Sequence, residues 1–341
     1  MSSDLLIVGP AWVGDMVMAQ SLFIRLRERH LDAAIDVLAP GWSLPIIERM
    51  PEIRAGIELP FAHGEFNFAG RRTLGQSLRE RGYGQAIVLP NSWKSAVVPF
   101  FAGIPRRTGY ARELRYGLLN DLRRLDKTLL TTTPQRFVAL AEEGRVTVAP
   151  AVPQPRFRAD AARAVELRER LGLGTGPAVA LMPGAEYGPA KQWPAAHYAS
   201  VAASLARRGV RSWIIGSKKE QALGESIARA AKGGAINLCG KTSLVDVVDL
   251  AADARAVVCN DSGPMHIAAA AGARVIAIYG SSTPDHTPPM TETRAIHYRR
   301  LACSPCFERQ CPLKAPGAHL DCLIGIHPDA ILASLNVLAD L

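Results

Sequence analysis

The sequence predicts an α/β protein made of two similar Rossmann-like halves, each a parallel sheet covered by helices. Three observations carry this expectation. Short, wholly apolar strand-like runs alternate with amphipathic helical stretches, this alternation starts afresh in mid-chain, and a proline-rich segment lies where it restarts. The chain has 341 residues, which suits two domains of about 150 residues each.

The first half opens with an apolar run at 5–8, a Gly-containing loop, and a helix from about Asp15 in which Met18, Leu22 and Leu26 recur at four-residue spacing. A second strand at 35–38 completes a βαβ unit, which implies a parallel sheet with right-handed crossovers. Residues 86–89 read as a further buried strand. The stretch 149–155 (APAVPQP) breaks all periodicity and is the expected linker. The pattern then returns, with strands expected at 178–182, 213–215, 236–238, 256–259 and 275–279. Between them lie a helix with Tyr198, Val201, Ala202 and Leu205 on one face, a helix over 244–252 capped by Ser243, and a short helix over 265–271. Domains of 1–155 and 156–341 follow, the last helix (about 328–341) packing back on the first domain. Such domains bind ligands at the carboxyl ends of their strands, so the expected site is a central cleft between two facing sheets.

Hydrophobic residues make up 48% and charged residues 21% of the chain, a globular composition that excludes a disordered protein. The start, Met1-Ser2-Ser3-Asp4, runs straight into Leu5 without a basic region, and no apolar run reaches the roughly 20 residues of a membrane span. A cytoplasmic location is expected. The net charge of +9 favours anionic company. Between residues 94 and 127 eight basic side chains face three acids, Glu113, Asp121 and Asp126. Few aromatic residues accompany them and no recognition-helix signature does, so a phosphorylated small or lipid-linked substrate fits better than nucleic acid.

Three loops carry chemistry-bearing residues. Gly9-Pro10-Ala11-Trp12-Val13-Gly14-Asp15 leaves a strand for a helix, where Asp15 is either an N-cap or a carboxylate able to take a proton from a hydroxyl nucleophile. In the Gly/Pro-rich loop 183–194, Lys191 is either a surface lysine or a point charge for a diphosphate. Asn260-Asp261-Ser262-Gly263-Pro264-Met265-His266 enters a helix of small residues, whose N-terminal N–H groups near Ser262 and Gly263 suit a pyrophosphate. Asp261 is placed to take sugar or ribose hydroxyls, and His266 lies one turn in. Neither half carries the dinucleotide glycine fingerprint, which disfavours an oxidoreductase. Near the C-terminus stand Cys303, Cys306, Cys311 and Cys322. In a reducing compartment this spacing admits either a structural metal, zinc by type, or ordinary thiols.

These loops, with Leu89-Pro90-Asn91-Ser92-Trp93-Lys94-Ser95-Ala96 and Arg115-Tyr116-Gly117-Leu118-Leu119-Asn120-Asp121, resemble the ADP-heptose:lipopolysaccharide heptosyltransferases. The likeness is greatest to the members that add the second heptose, and its motifs run in the same order from residue 5 to about 290. The resemblance implies a GT-B architecture and metal-independent, inverting transfer of L-glycero-D-manno-heptose from ADP-heptose to the first heptose of the lipopolysaccharide inner core, heptosyl-Kdo2-lipid A. It implies Asp15 as general base and Lys191 as the group that stabilises the departing diphosphate. Gly14, Gly184, Ala185, Ser217, Thr242, Asp261, Ser262, Gly263 and His266 fall on the donor side, and Trp12, Asn91, Lys94 and Arg112 on the acceptor side. A lipid-linked acceptor implies peripheral contact with the inner face of the cytoplasmic membrane. Three rivals remain at this stage: a nucleotide-sugar epimerase of similar build, the first-heptose transferase acting on Kdo2-lipid A, and a non-catalytic nucleotide-sugar-binding protein.

Overall fold

The computed structural model describes residues 4–62 and 64–341. The chain divides into two compact units, Met1–Pro155 and Arg156–Leu341, each holding one six-stranded sheet. In the first the strands are β1 (Leu5–Val8), β2 (Ile35–Ala39), β3 (Ala55–Glu58), β4 (Gln85–Val88), β5 (Arg106–Tyr110) and β6 (Asp121–Arg123). They are all parallel, in the order β3-β2-β1-β4-β5-β6. The second unit repeats the plan with β7 (Ala178–Met182), β8 (Arg211–Ile214), β9 (Ala235–Asn237), β10 (Ala256–Asn260), β11 (Val275–Tyr279) and β12 (Arg294–Tyr298). Their order is β12-β11-β10-β7-β8-β9, again parallel throughout.

The central strands are apolar on both faces because helices cover both sides of a parallel sheet. Every residue of β1, β2, β7, β10 and β11 is buried. Leu6, Val8, Leu38, Val88 and Val98 belong to the first core, and Val179, Leu181, Tyr198, Ile214, Val258 and Ile276 to the second. Full burial of each such side chain contributes about 1.5–3 kcal/mol. The final helix, Pro328–Ala339, places Ile331, Leu335 and Ala339 in the second core.

Strand order reverses between β1 and β4 in one unit and between β7 and β10 in the other. At such a switch the loops leaving the two strands diverge to opposite faces and open a crevice at the carboxyl edge. The loops beginning at Gly9 and Leu89 meet this description in the first unit, and those beginning at Pro183 and Asp261 in the second.

Four strands escaped the sequence reading: β3, β5, β6 and β12. They lie at the edges or next to them and carry polar or charged residues, as in the Arg-Arg-Thr-Gly-Tyr of β5. The first helix begins at Val13, two residues earlier than expected, with Trp12 as its cap. Ser243 caps its helix as expected, accepting from the Asp246 amide at 3.2 Å while Asp246 accepts from the Ser243 amide at 2.8 Å.

One buried charge organises the first unit. Asp36, the second residue of β2 and fully buried, accepts two hydrogen bonds from Arg54 (2.9 and 2.7 Å) and one from the Tyr83 hydroxyl at 2.5 Å. Burial alone would raise this carboxyl, but the donors from Arg54 and Tyr83 outweigh it and hold it below the usual range. Burial and the same contact push the Tyr83 hydroxyl up to about 12. Because its folded pKa is depressed, Asp36 stabilises the fold above the unfolded carboxylate pKa and loses that contribution as pH falls through the folded value. Asp36→Ala leaves the Tyr83 hydroxyl without its acceptor and takes a partner from Arg54 and from Arg81, which lies 3.2 Å from the carboxylate, and it should lower the unfolding free energy by about 3 kcal/mol in urea titration.

Candidate functional site

In the second unit the two switch-point loops are joined by Asn260, the last residue of β10. Its side-chain nitrogen donates to the Pro183 carbonyl at 2.7 Å. Its oxygen accepts from the Trp193 amide at 3.0 Å and the Tyr198 hydroxyl at 3.1 Å. The loop 183–194 is thereby pinned at both ends, and Trp193 fixes it further by donating from its indole to the Ile326 carbonyl at 2.9 Å. Sequence reading treated Asn260 only as part of a motif; its clamping role follows from residues 60 and more positions away.

The pinned loop presents Lys191 to Asp261. The ammonium lies 2.6 Å from the carboxylate, with the lysine side chain 17% and the aspartate 4% exposed. Asp261 also accepts from the Ser282 hydroxyl and, at 3.3 Å, from that of Thr287. In this structure Asp261, expected from the sequence to take ligand hydroxyls, holds Lys191 in place and is itself held by Ser282 and Thr287. The lysine also lies over the Tyr187 ring, 5.1 Å from its centroid.

Beside this pair stand two buried polar atoms with no partner in the described protein, the Ser262 hydroxyl and Nδ1 of His266, while the Thr242 hydroxyl, also unpartnered, lies in the loop after β9. An unsatisfied buried polar group costs about 1–3 kcal/mol, so the two beside the pair mark a place where a ligand supplies partners. Ser262 is the N-cap of the helix Gly263–Ala270 yet makes no capping bond, and His266 lies within that helix. The positive end of the helix dipole therefore points where Ser262 and Gly263 sit. Burial pushes the His266 imidazole down to about 4, with Asp261 pulling it back up and Lys191 adding to the fall, so it is neutral at physiological pH.

Glu220 lies between Gly184 and Ser217. A Cβ at Gly184 would stand 1.5 Å from Glu220 Oε1, so a side chain there would displace the carboxylate. The other carboxylate oxygen of Glu220 accepts from the Ser217 amide at 2.6 Å. Ala185 is buried in the same loop.

In the first unit, Trp12, Gly14 and Asp15 follow β1, and Asn91 and Lys94 follow β4, so both loops lie at that sheet's switch point. Trp12 and Asn91 are exposed and Asp15 is half-buried. Asp15 is the third residue of a 17-residue helix whose cap is Trp12, which corrects the reading of Asp15 as a cap. Lys94 donates to the Glu65 carbonyl at 3.2 Å. Arg112 is exposed in the loop after β5.

Much of the basic stretch proves structural. Arg115 is buried and donates to the Pro90 and Tyr110 carbonyls, each at 2.6 Å, tying the loop after β4 to β5. Arg106 and Arg123 pair with Asp121, and Arg107 donates to the Ile104 and Leu118 carbonyls.

The sequence left the four cysteines as either a metal site or ordinary thiols, and the structure does not gather them for a single ion. A tetrahedral ion binds thiolates at about 2.3 Å and so draws them to about 3.8 Å of each other. Among the described residues no group of three or more His, Cys, Asp or Glu side chains is gathered in that way. Cys303, Cys306, Cys311 and Cys322 instead stand around the wall of one cavity. Burial, with the other three sulfurs adding to it, pushes the Cys322 thiol up to about 11.

With the geometry described, comparison with known proteins identifies the relatives. The family model for glycosyltransferase family 9 (heptosyltransferase) matches residues 71–316. Lipopolysaccharide heptosyltransferase 2 of Escherichia coli K12 is 42% identical over 349 residues, covering 98% of each chain. Lipooligosaccharide heptosyltransferase 2 of Haemophilus influenzae is 43% identical, with 98% of this chain and 99% of the relative covered. The solved structure of E. coli ADP-heptose lps heptosyltransferase II superposes with a TM-score of 0.86 at 40% identity, over 98% of both chains.

The depressed His266 pKa has a consequence for stability. The unfolded imidazole takes up a proton near pH 6.5 and the folded one only near pH 4. Within that window the unfolded state binds more protons, so stability rises with pH and is fully present above it. Unfolding free energies measured from pH 4 to 7 should show this rise, on the order of 3 kcal/mol. His266→Gln should remove that part of the slope; an unchanged slope assigns it to other groups.

Proposed function

The chain belongs to glycosyltransferase family 9, the heptosyltransferases, and from that premise we propose that it transfers L-glycero-D-manno-heptose from ADP-heptose to the first heptose of the lipopolysaccharide inner core. The observation that carries the reading is the Lys191–Asp261 pair set at a switch point beside the unpartnered atoms of Ser262 and His266. A nucleotide-diphosphate sugar matches those groups: the ammonium and the helix N-terminus meet the diphosphate, and the orphaned hydroxyl and imidazole meet sugar or phosphate oxygens. Neither the epimerase nor the non-catalytic reading is favoured, since the matching family and relatives are transferases.

The chemical difficulty is a weak nucleophile, a sugar hydroxyl, meeting an anomeric carbon whose leaving group is anionic. In the proposed mechanism Asp15 takes the hydroxyl proton as the C–O bond forms, and Lys191 stabilises the charge that collects on the departing ADP. Asp261 holds the ammonium, and Ser282 and Thr287 orient Asp261, so the charge is preorganised before the donor arrives. A single displacement inverts the anomeric centre and needs no enzyme nucleophile. Side chains carry both ends of it, and no step is assigned to a metal. Trp12, Asn91, Lys94 and Arg112 form the acceptor side, the two cations answering the phosphates or carboxylates of the core. Because no helix among the described residues is long and apolar enough to cross a membrane, the lipid-linked acceptor is met at the inner face of the cytoplasmic membrane by peripheral contact.

Incubation of ADP-heptose with heptosyl-Kdo2-lipid A, read by product mass and ADP release, tests the reaction. Transfer to Kdo2-lipid A alone would reassign the chain to first-heptose addition. Asp15→Asn should cut turnover by a factor on the order of 10² to 10⁴ with little change in ADP-heptose affinity. Near-normal turnover would place the base elsewhere. Lys191→Ala removes a charge-assisted contact and exposes phosphate to the bare Asp261 carboxylate, so calorimetry should show ADP binding weakened by about 1.5–3 kcal/mol or more. High-salt washing should release the protein from membrane fractions, and a requirement for detergent would count against peripheral contact.

A further inference from the structure

The first unit carries an apolar surface that neither its core nor the groups discussed above account for. A run of aromatic rings lies in contact: Trp93 with Phe66 at 5.4 Å between centroids, Phe66 with Phe68 at 6.0 Å, Phe68 with Phe101 at 5.6 Å and Phe101 with Phe100 at 5.3 Å. Such a run is ordinary in a core, but here Trp93 is 37%, Phe66 46%, Phe68 41% and Phe100 40% exposed. Contiguous exposed rings mark a place where a protein meets an apolar partner.

These rings stand on a fixed backbone. Asn67 caps the helix Phe68–Ser77, its side-chain oxygen accepting from the Gly70 amide at 3.0 Å. That helix lies so close to the helix Val97–Phe101 that a Cβ at Gly75 would stand 2.6 Å from the Val98 oxygen. Val97, Val98 and Pro99 are buried there, while Phe100 is left exposed. Cations accompany the rings: Arg72 lies over Phe101 at 5.7 Å and Arg107 over Phe100 at 5.5 Å. Arg79 donates to the Phe101 carbonyl at 2.9 Å. Arg79, Arg107 and Lys94 bond to neutral carbonyls, which leave their charge uncancelled. The carboxylates of the same stretch are occupied in holding it, Glu65 by the Ala62 amide and the Asn67 side chain, Glu113 by the Trp93 amide.

We propose that this surface docks the protein on an anionic lipid bilayer, with the rings of Phe66, Phe68, Trp93 and Phe100 entering the headgroup region and Arg72, Arg79 and Arg107 meeting lipid phosphates. Aromatic rings favour the boundary between headgroups and acyl chains, and each cation near an anionic leaflet adds to the attraction. A purely apolar partner would leave the arginines unanswered; an anionic bilayer answers rings and cations together. The inference gives a surface to the peripheral contact proposed above and rests on that reading. Trp93 lies between Asn91 and Lys94 in the segment after β4, so docking brings the acceptor side to the headgroup level, where a lipid-linked sugar begins.

The test mixes the full chain with vesicles of phosphatidylethanolamine and phosphatidylglycerol, or of phosphatidylcholine alone, and reads sedimented protein and tryptophan emission. Binding to the anionic vesicles with blue-shifted emission is expected, weakening as salt is raised. Equal binding to phosphatidylcholine, or binding to neither, overturns the proposal. Arg72→Glu, which alters an exposed charge, should weaken partition by about tenfold, and the pair Phe66→Ser and Phe100→Ser by about tenfold or more. Unchanged partition of Arg72→Glu overturns it, and this variant decides alone should the serine pair fail to fold by circular dichroism. A blue shift that persists in Trp93→Phe overturns the placement of these rings in the bilayer. Self-association that the same substitutions abolish, without vesicle binding, overturns it in favour of a second copy of the chain. The vesicle measurements contain no sugar substrate, so they stand or fall apart from the proposed reaction. With both, the serine pair should slow transfer to acceptor in vesicles but not to acceptor stripped of its acyl chains; equal slowing of the two overturns docking.

Discussion

At the end of β10 the Asn260 side chain donates to the Pro183 carbonyl and accepts from the Trp193 amide and the Tyr198 hydroxyl. A single buried amide thus joins the loops that leave the two central strands of the second sheet. Parallel pairing sets β7 and β10 side by side, but pairing alone leaves their loops free to diverge. The Asn260 bonds hold the loop 183–194 over the β10 terminus, and only then does Lys191 lie within 2.6 Å of the next residue in that chain segment, Asp261. Ser282 and Thr287 complete the arrangement from the strand beyond, so residues from three parts of the chain fix one ammonium group.

The same economy governs charge in the first unit. Its sequence is rich in arginine, and the simplest reading gives those arginines to an anionic ligand. The structure uses many of them internally, because the loops at both edges of the sheet leave backbone carbonyls that need donors. Arg115 satisfies such carbonyls at the carboxyl edge, Arg107 those just before β5 and β6 at the amino edge, and Arg106 and Arg123 balance Asp121. The guanidinium, planar and with five donors, suits this work better than lysine would. What stays exposed at the carboxyl edge is a smaller set, Trp12, Asn91 and Arg112 among it.

The cysteine-bearing segment shows how a peripheral loop becomes part of a functional wall. Between β12 and the last helices the chain has no sheet or long helix to order it. It gains order by hydrogen bonding to the Tyr187–Ala190 backbone and side chains instead. The residues that anchor Lys191 from below and those that shape its loop from outside are therefore different sets, drawn from β10 and from the cysteine segment.

The sequence by itself determined the class of the fold, the repeat of one plan in two halves, the central strands, the Ser243 cap and the loops that carry Asp15, Lys191 and residues 260–266. Those features are local: apolar runs, glycines after strands and capping residues act over a few positions and leave a direct trace in the order of residues. Only the tertiary structure decided the outer strands β3, β5, β6 and β12, at or next to the sheet edges, whose polar residues pair because a neighbouring strand offers its backbone. It also decided that Asp261 holds Lys191, that Asn260 clamps a loop 77 residues away, that the last helix packs within its own unit, and that four cysteines surround a cavity without meeting at a point. Each of these depends on distances between residues remote in sequence, and a linear order of side chains does not contain distances.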